Sequence, residues 1–131
     1  MTRRLPPALL LALLSCGRPG SVDSRRFESA LGNYVVVLRT TPSPIPLNQP
    51  FEARITVEPR VKPSGPLAVD VDARMPEHFH GMNNAARTTA QPDGTFKTEG
   101  LLFHMPGRWE LFVDIAEGGR TERAQTEVIL E

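Results

Sequence analysis

The stretch FEARITVE, Phe51 to Glu58, decides the fold class, because apolar and polar residues alternate along its whole length. A β-strand points successive side chains to opposite faces of its sheet, so this period of two predicts a strand with one buried and one solvated face. The same alternation returns in LAVDVDARM (67–75), and every second residue of RWELFVDI (108–115) is apolar. Three such strands predict an all-β protein built from antiparallel sheets.

Further extended segments lie on both sides of these strands: YVVVLRT (34–40), TFKTEGLLFHM (95–105) and RTERAQTEVILE (120–131). Turn signals separate them, including the proline-rich stretch 41–50 and the glycine turns PDG and EGG. No segment has the pattern of an amphipathic helix. About seven strands at this spacing are typical of an immunoglobulin-like β-sandwich. The 131 residues are enough for one such domain.

Two connections between the strands have features of their own. The segment from Pro76 to Pro92 has no period and is predicted to be a long connection. The second connection, HMPGRW, contains a Pro-Gly pair that suits a type II turn, which matches poorly with a two-residue hairpin. It predicts an arch from one sheet to the other, with Trp109 buried in the core after it.

Residues 1–16 are typical of a lipoprotein signal peptide. Arg3 and Arg4 precede an apolar run of about ten residues, about half the length that a membrane-spanning helix needs. The ending LLSC resembles a bacterial lipobox and predicts that Cys16 is lipidated; the alternative is a plain secretory signal. Cys16 is the only cysteine and cannot form an internal disulfide, and an acyl anchor would account for it.

The rest of the chain is predicted to lie in the bacterial cell envelope, with residues 17–32 as a polar tether and residues 33–131 as the sandwich domain. Gly17, rather than an aspartate, follows the lipobox cysteine and favours the outer membrane, facing the periplasm. The formal net charge is zero, which gives no reason to expect nucleic acid as a partner. G-x-S-x-G, Walker and H-E-x-x-H motifs are all missing from the sequence, so we expect no enzyme.

All three histidines lie in two methionine-bearing patches, ARMPEHFHGMNN and LFHMPGRWEL. One residue separates His78 from His80, so an extended loop would point both imidazoles the same way. Imidazole binds Cu(II) and zinc, whereas thioether sulfur selects Cu(I), so the mixture favours copper as the bound ion. The candidate copper ligands are His78, His80, Met82, Met75, His104 and Met105.

The two patches form one site only if the fold brings them to the same end of the sandwich. In that case loop carbonyls or Glu77 would support the ligands from behind. The alternative is that the methionines are packing residues, the loop histidines are solvated, and His104 lies in the core.

The segments MPEHFHGMN and DGTFKTEGLLFHMPGRWELFVDI resemble the YtkA-like domain, a family that includes FixH-type proteins. The matching residues are Met75-Pro76, His80-Gly81-Met82, Asp93-Gly94, Phe96, Gly100, Phe103, Met105-Pro106-Gly107 and Trp109. The resemblance covers residues 34–130 and implies an exported immunoglobulin-like sandwich, in a group linked to copper handling or cytochrome oxidase assembly. The sequence departs from the FixH pattern because no apolar run is long enough for a transmembrane helix.

Three functions follow as hypotheses. The first is a cell-envelope lipoprotein that binds copper ion through its His/Met loop, as a carrier or buffer. The second is a metal-free interaction module, tethered to the membrane by lipid, that docks an envelope protein partner. The third is a subunit of a redox enzyme whose catalytic chain is a different protein.

Overall fold

The structure is a computed structural model that describes residues 24–131, and the predicted signal peptide with Cys16 lies outside the described residues. The described chain forms nine strands and one 3-10 turn. In chain order these are β1 Ser24–Glu28, β2 Tyr34–Thr41, β3 Phe51–Pro59, β4 Leu67–Met75, the 3-10 turn Pro76–His78, β5 His80–Gly81, β6 Arg87–Ala90, β7 Phe96–Leu101, β8 Gly107–Glu117 and β9 Arg120–Leu130. Over this same range, no helix has the length and apolarity to cross a membrane.

The strands form two antiparallel sheets, in the orders β1-β2-β3-β7-β6 and β5-β4-β8-β9. An immunoglobulin sandwich has the orders ABED and CFG when its strands are lettered along the chain. The orders β2-β3-β7-β6 and β4-β8-β9 reproduce this arrangement, with β1 and the two-residue β5 as additions. The predicted all-β sandwich is therefore confirmed, with nine strands instead of about seven.

The core lies between the sheets and follows the alternation in the sequence. On β3 the alternate residues Phe51, Ala53 and Ile55 are buried, and on β8 every second residue from Trp109 to Ile115 is buried. The connection from β7 to β8 crosses between the sheets, as its Pro-Gly pair predicted. Burial of this apolar series is the main favourable contribution to folding.

The segment predicted to be a polar tether contains a strand in its described part. β1 pairs with β2 in continuous register, from Ser24 opposite Arg39 to Glu28 opposite Val35. Phe27 is the only apolar residue of β1, and it packs against the core. A single apolar residue makes no alternation, so the sequence did not indicate this strand.

The long connection predicted between Pro76 and Pro92 is also more ordered than expected, since it holds the 3-10 turn, β5 and β6. β6 has the sequence RTTA, lies at the edge of its sheet and has no buried residue. A strand that buries no face needs no apolar period, which explains why the pattern missed it.

Antiparallel pairing gathers the connections at two ends of the sandwich. The segments 42–50, 76–86 and 102–106 follow β2, β4 and β7 and share one end. The backbone N–H of Asn48 donates to the carbonyl of Phe103 at 2.8 Å and ties two of these segments together. We call this the histidine end, because it carries every histidine of the chain. The β8–β9 hairpin turns at the opposite end.

Gly107, the first residue of β8, provides a test of the packing beneath the histidine end. Its φ is 124°, and a Cβ at this position would lie 2.8 Å from the Cε of Met75, a core side chain. We expect Gly107→Ala to lower the free energy of unfolding by more than about 1 kcal/mol, measured by urea unfolding. Gly65→Ala is the control, because the space around Gly65 is open. Equal losses in the two variants would contradict this account.

Candidate metal centre

The short strand β5 fixes the direction of His80. His80 pairs directly with Met75 across β4 and β5. Residues paired in this way project from the same face of their sheet. Met75 is 1% exposed and belongs to the core. His80 therefore faces the inner side of the sandwich, where its ring is half-buried.

His104 reaches the same place from the connection between β7 and β8. The ring centroids of His80 and His104 are 5.2 Å apart. Trp109 lies beside both rings, with its centroid 6.2 Å from that of His80 and 5.5 Å from that of His104, and both contacts are edge-on. The fold thus brings the two sequence patches together at the histidine end.

The three imidazole rings follow one another in the order His78, His80, His104, and His78 is the outer one. Its centroid lies 5.8 Å from that of His80, and its side chain is exposed. An extended loop would point the imidazoles of His78 and His80 the same way, but Pro76–His78 is a 3-10 turn and the next residue, Phe79, has a φ of 55°. Proline suits the first position of such a turn because its fixed φ is already helical. The two loop histidines are therefore not equivalent: one is at the surface and one faces inward.

The ring nitrogens of the two inner histidines have different surroundings. Nδ1 of His80 lies 3.0 Å from the carbonyl oxygen of Gly81. A carbonyl oxygen only accepts, so in this hydrogen bond Nδ1 carries the proton and Nε2 keeps a lone pair for a ligand. Nδ1 of His104 is buried and has no hydrogen-bond partner among residues 24–131. An unpaired buried polar atom costs about 1–3 kcal/mol, a cost that a metal ion on its lone pair would remove.

The three methionines of the candidate set differ in their accessibility. Met75 is a core residue, so the structure gives it a packing role. Met82 and Met105 are half-buried and pack against the edge of the core. The carbonyl of Met105 accepts a hydrogen bond of 2.9 Å from Nε1 of Trp109, which fixes the backbone next to His104. Met82 and Met105 are therefore the accessible thioethers at this end.

An ion pair holds the 3-10 turn against β8. Nε of Arg108 donates to Glu77 at 2.6 Å, and Nη1 donates to Glu110 at 3.3 Å and to Glu127 at 3.1 Å. The hydrogen bond from Arg108 lowers the pKa of Glu77 below its usual value. The hydrogen bonds to Glu77 and Glu127 raise the pKa of the guanidinium. The sequence suggested that Glu77 supports a ligand, but its partner is Arg108 and its effect is to position the turn.

Phe79 is a feature of this end that the sequence did not reveal. It lies between His78 and His80, and it is 96% exposed. Its positive φ is uncommon for a residue with a large side chain. Nothing in the surrounding residue pattern distinguishes this phenylalanine from a buried one, because the segment has no period.

The side-chain donors at the histidine end are of two kinds, the imidazole nitrogens of the histidines and the thioether sulfurs of Met82 and Met105. Residues 24–131 contain no group of three or more His, Cys, Asp or Glu side chains placed to hold a metal ion. Comparison with family models, curated proteins and solved structures found no match to the chain.

Removal of the Arg108 guanidinium should loosen the 3-10 turn. We expect Arg108→Gln to speed amide hydrogen exchange in residues 76–81, while the core strands keep their protection, because local openings follow local contacts. Arg123→Gln is the matched control: Arg123 pairs with Asp114 on the same sheet, away from the turn. Unchanged exchange at 76–81 in the Arg108 variant would show that the ion pair does not hold the turn.

Proposed function

We propose that the protein is a lipoprotein of the cell envelope, anchored through an acylated Cys16, that binds copper at the histidine end and acts as a carrier or buffer. One observation carries the proposal: His80 and His104 come from different connections, and their ring centroids meet at 5.2 Å. The buried and unpartnered Nδ1 of His104 supports it. The resemblance to the YtkA-like domain and a position at the outer membrane, facing the periplasm, are parts of the same proposal.

The donor set explains why copper is proposed rather than zinc. The imidazoles of His80 and His104 suit Cu(II) as well as zinc, whereas the thioethers of Met82 and Met105 suit Cu(I). Cys16 is the only cysteine of the chain, so the domain offers no thiolate to a metal. Thioether and imidazole remain usable ligands in an oxidising compartment, where free thiols are oxidised.

The three histidines differ in their exposure to solvent, which suits a carrier that transfers its ion to a partner. His78 is exposed, His80 is half-buried, and the Nδ1 atom of His104 is buried. Adjacent rings in this row have centroids 5.8 Å and 5.2 Å apart. An ion held by the two inner histidines can exchange one ligand at a time with an outer donor, and this role needs no catalytic residue.

Copper titration tests the proposal. We expect His80→Ala and His104→Ala each to weaken Cu(I) affinity by at least about tenfold, because each removes an imidazole of the inner pair. His78→Ala should weaken affinity less, since His78 lies at the surface. Affinity is measured by competition with a chelator of known strength, and the unfolding midpoint of each variant shows whether it is folded. Wild-type affinity in a folded His104→Ala protein would overturn the site.

Methionine substitution tests the choice of metal. We expect the double variant Met82→Leu/Met105→Leu to lose Cu(I) affinity while any zinc affinity stays unchanged, because leucine keeps the size and removes only the sulfur. Met75→Leu is the control, since Met75 is a core residue. Equal Cu(I) affinity in the wild type and the double variant would remove the thioethers from the site.

A further inference from the structure

The connecting segments at the histidine end carry almost no charge. The segments 42–50, 76–86 and 102–106 contain one Asp, Glu, Lys or Arg residue, Glu77, and that residue is paired with Arg108 at the rim. Apolar side chains are exposed on the same segments, with Phe79 at 96% and Leu47 at 40% exposure. A largely uncharged surface costs little to move out of water compared with a charged one.

The opposite end has a different character. Leu31 and Val61 are exposed there, but they share a cleft with Lys62, Arg120 and the carboxylates of neighbouring strands. Withdrawal of these charged groups from water would be costly. The two ends therefore differ in charge more than in the number of their exposed apolar side chains.

The path of the chain links the histidine end to the predicted lipid anchor. Ser24 pairs with Arg39, close to the end of β2 at Thr41, and β1 runs from there toward the opposite end. The seven residues 17–23 separate Cys16 from Ser24, and the chain between these two residues can reach at most about 29 Å. β9 alone spans roughly 35 Å between the two ends. Because this reach is shorter than the domain, a lipid on Cys16 excludes an upright orientation in which the opposite end stands on the membrane and the histidine end points away from it.

We propose that the histidine end lies against the lipid bilayer, with Phe79 as its apolar contact in the interface. This inference rests on the proposed function for one premise, the acyl anchor at Cys16. An acyl chain alone fixes no orientation, but a second and weak apolar contact at the tethered end is enough to select one. The three segments carry no Lys or Arg residue, so the proposed contact is apolar and does not depend on attraction to anionic lipid.

The test places a fluorescent reporter at each end of the full-length, acylated protein in phosphatidylcholine vesicles. Phe79→Trp puts the reporter at the proposed contact, and Val61→Trp puts it on an apolar residue at the opposite end that is 78% exposed. The wild-type protein gives the background fluorescence and quenching of Trp109, which is fully buried. Mass spectrometry first establishes the acylation of Cys16, and an unmodified cysteine overturns the inference.

We expect brominated phosphatidylcholine to quench the emission of the Phe79→Trp variant clearly more than that of Val61→Trp or the wild type. Exchange of part of the lipid for phosphatidylglycerol should leave this difference unchanged. Equal quenching in the two variants would overturn the inference. Quenching of the Phe79→Trp variant no stronger than that of the wild type would also overturn it, and would favour a protein partner on this face. Cu(I) titration of the same samples separates the two proposals, because quenching at position 79 does not depend on whether copper binds.

Discussion

The contact on which the histidine end depends is the stack of Trp109 on Phe103. Their ring centroids are 4.6 Å apart, their planes differ by 6°, and both side chains are fully buried. Burial would leave the indole N–H unpaired, but it donates to the carbonyl of Met105. This hydrogen bond holds the β7–β8 connection next to the indole, and the rings of His104 and Trp109 meet edge-on. The side chain that fills this end of the core thus also positions half of the candidate site.

The sequence predicted those strands that bury one face, and it failed for those that do not. β3, β4 and β8 were recognised because an apolar residue at every second position is a direct consequence of one-sided burial. β1 and β6 are edge strands without a continuous apolar face, so their pairing depends on neighbours that lie far away in sequence. β5 has only two residues, His80 and Gly81, and no pattern can be read from so short a strand. Fold class was therefore accessible from the sequence, but the complete set of strands was not.

For the site, the sequence indicated the donor types but not their geometry. The ligand candidates were chosen because imidazole and thioether occur together in two patches, and that chemistry is independent of the fold. The meeting of His80 and His104 depends on the β4–β8 register and on the arch between the sheets, neither of which is local. An extended backbone would point His78 in the same direction as His80, whereas the structure has a 3-10 turn at His78 that is held by Arg108. Long-range ion pairs of this kind leave no periodic signal in a sequence.

Met75 and Trp109 are buried neighbours of His80 in the candidate site. Met75, its partner across the strands, is buried with its methyl group against Gly107, where a single added carbon would lie at 2.8 Å. The buried Trp109 and the exposed His78 both lie next to the ring of His80, with centroids 6.2 Å and 5.8 Å away. His78 belongs to the same segment as the exposed Phe79. Under the two proposals together, an ion held by the histidines would lie next to the membrane surface, which favours exchange with a donor held at the membrane over exchange with a freely diffusing one.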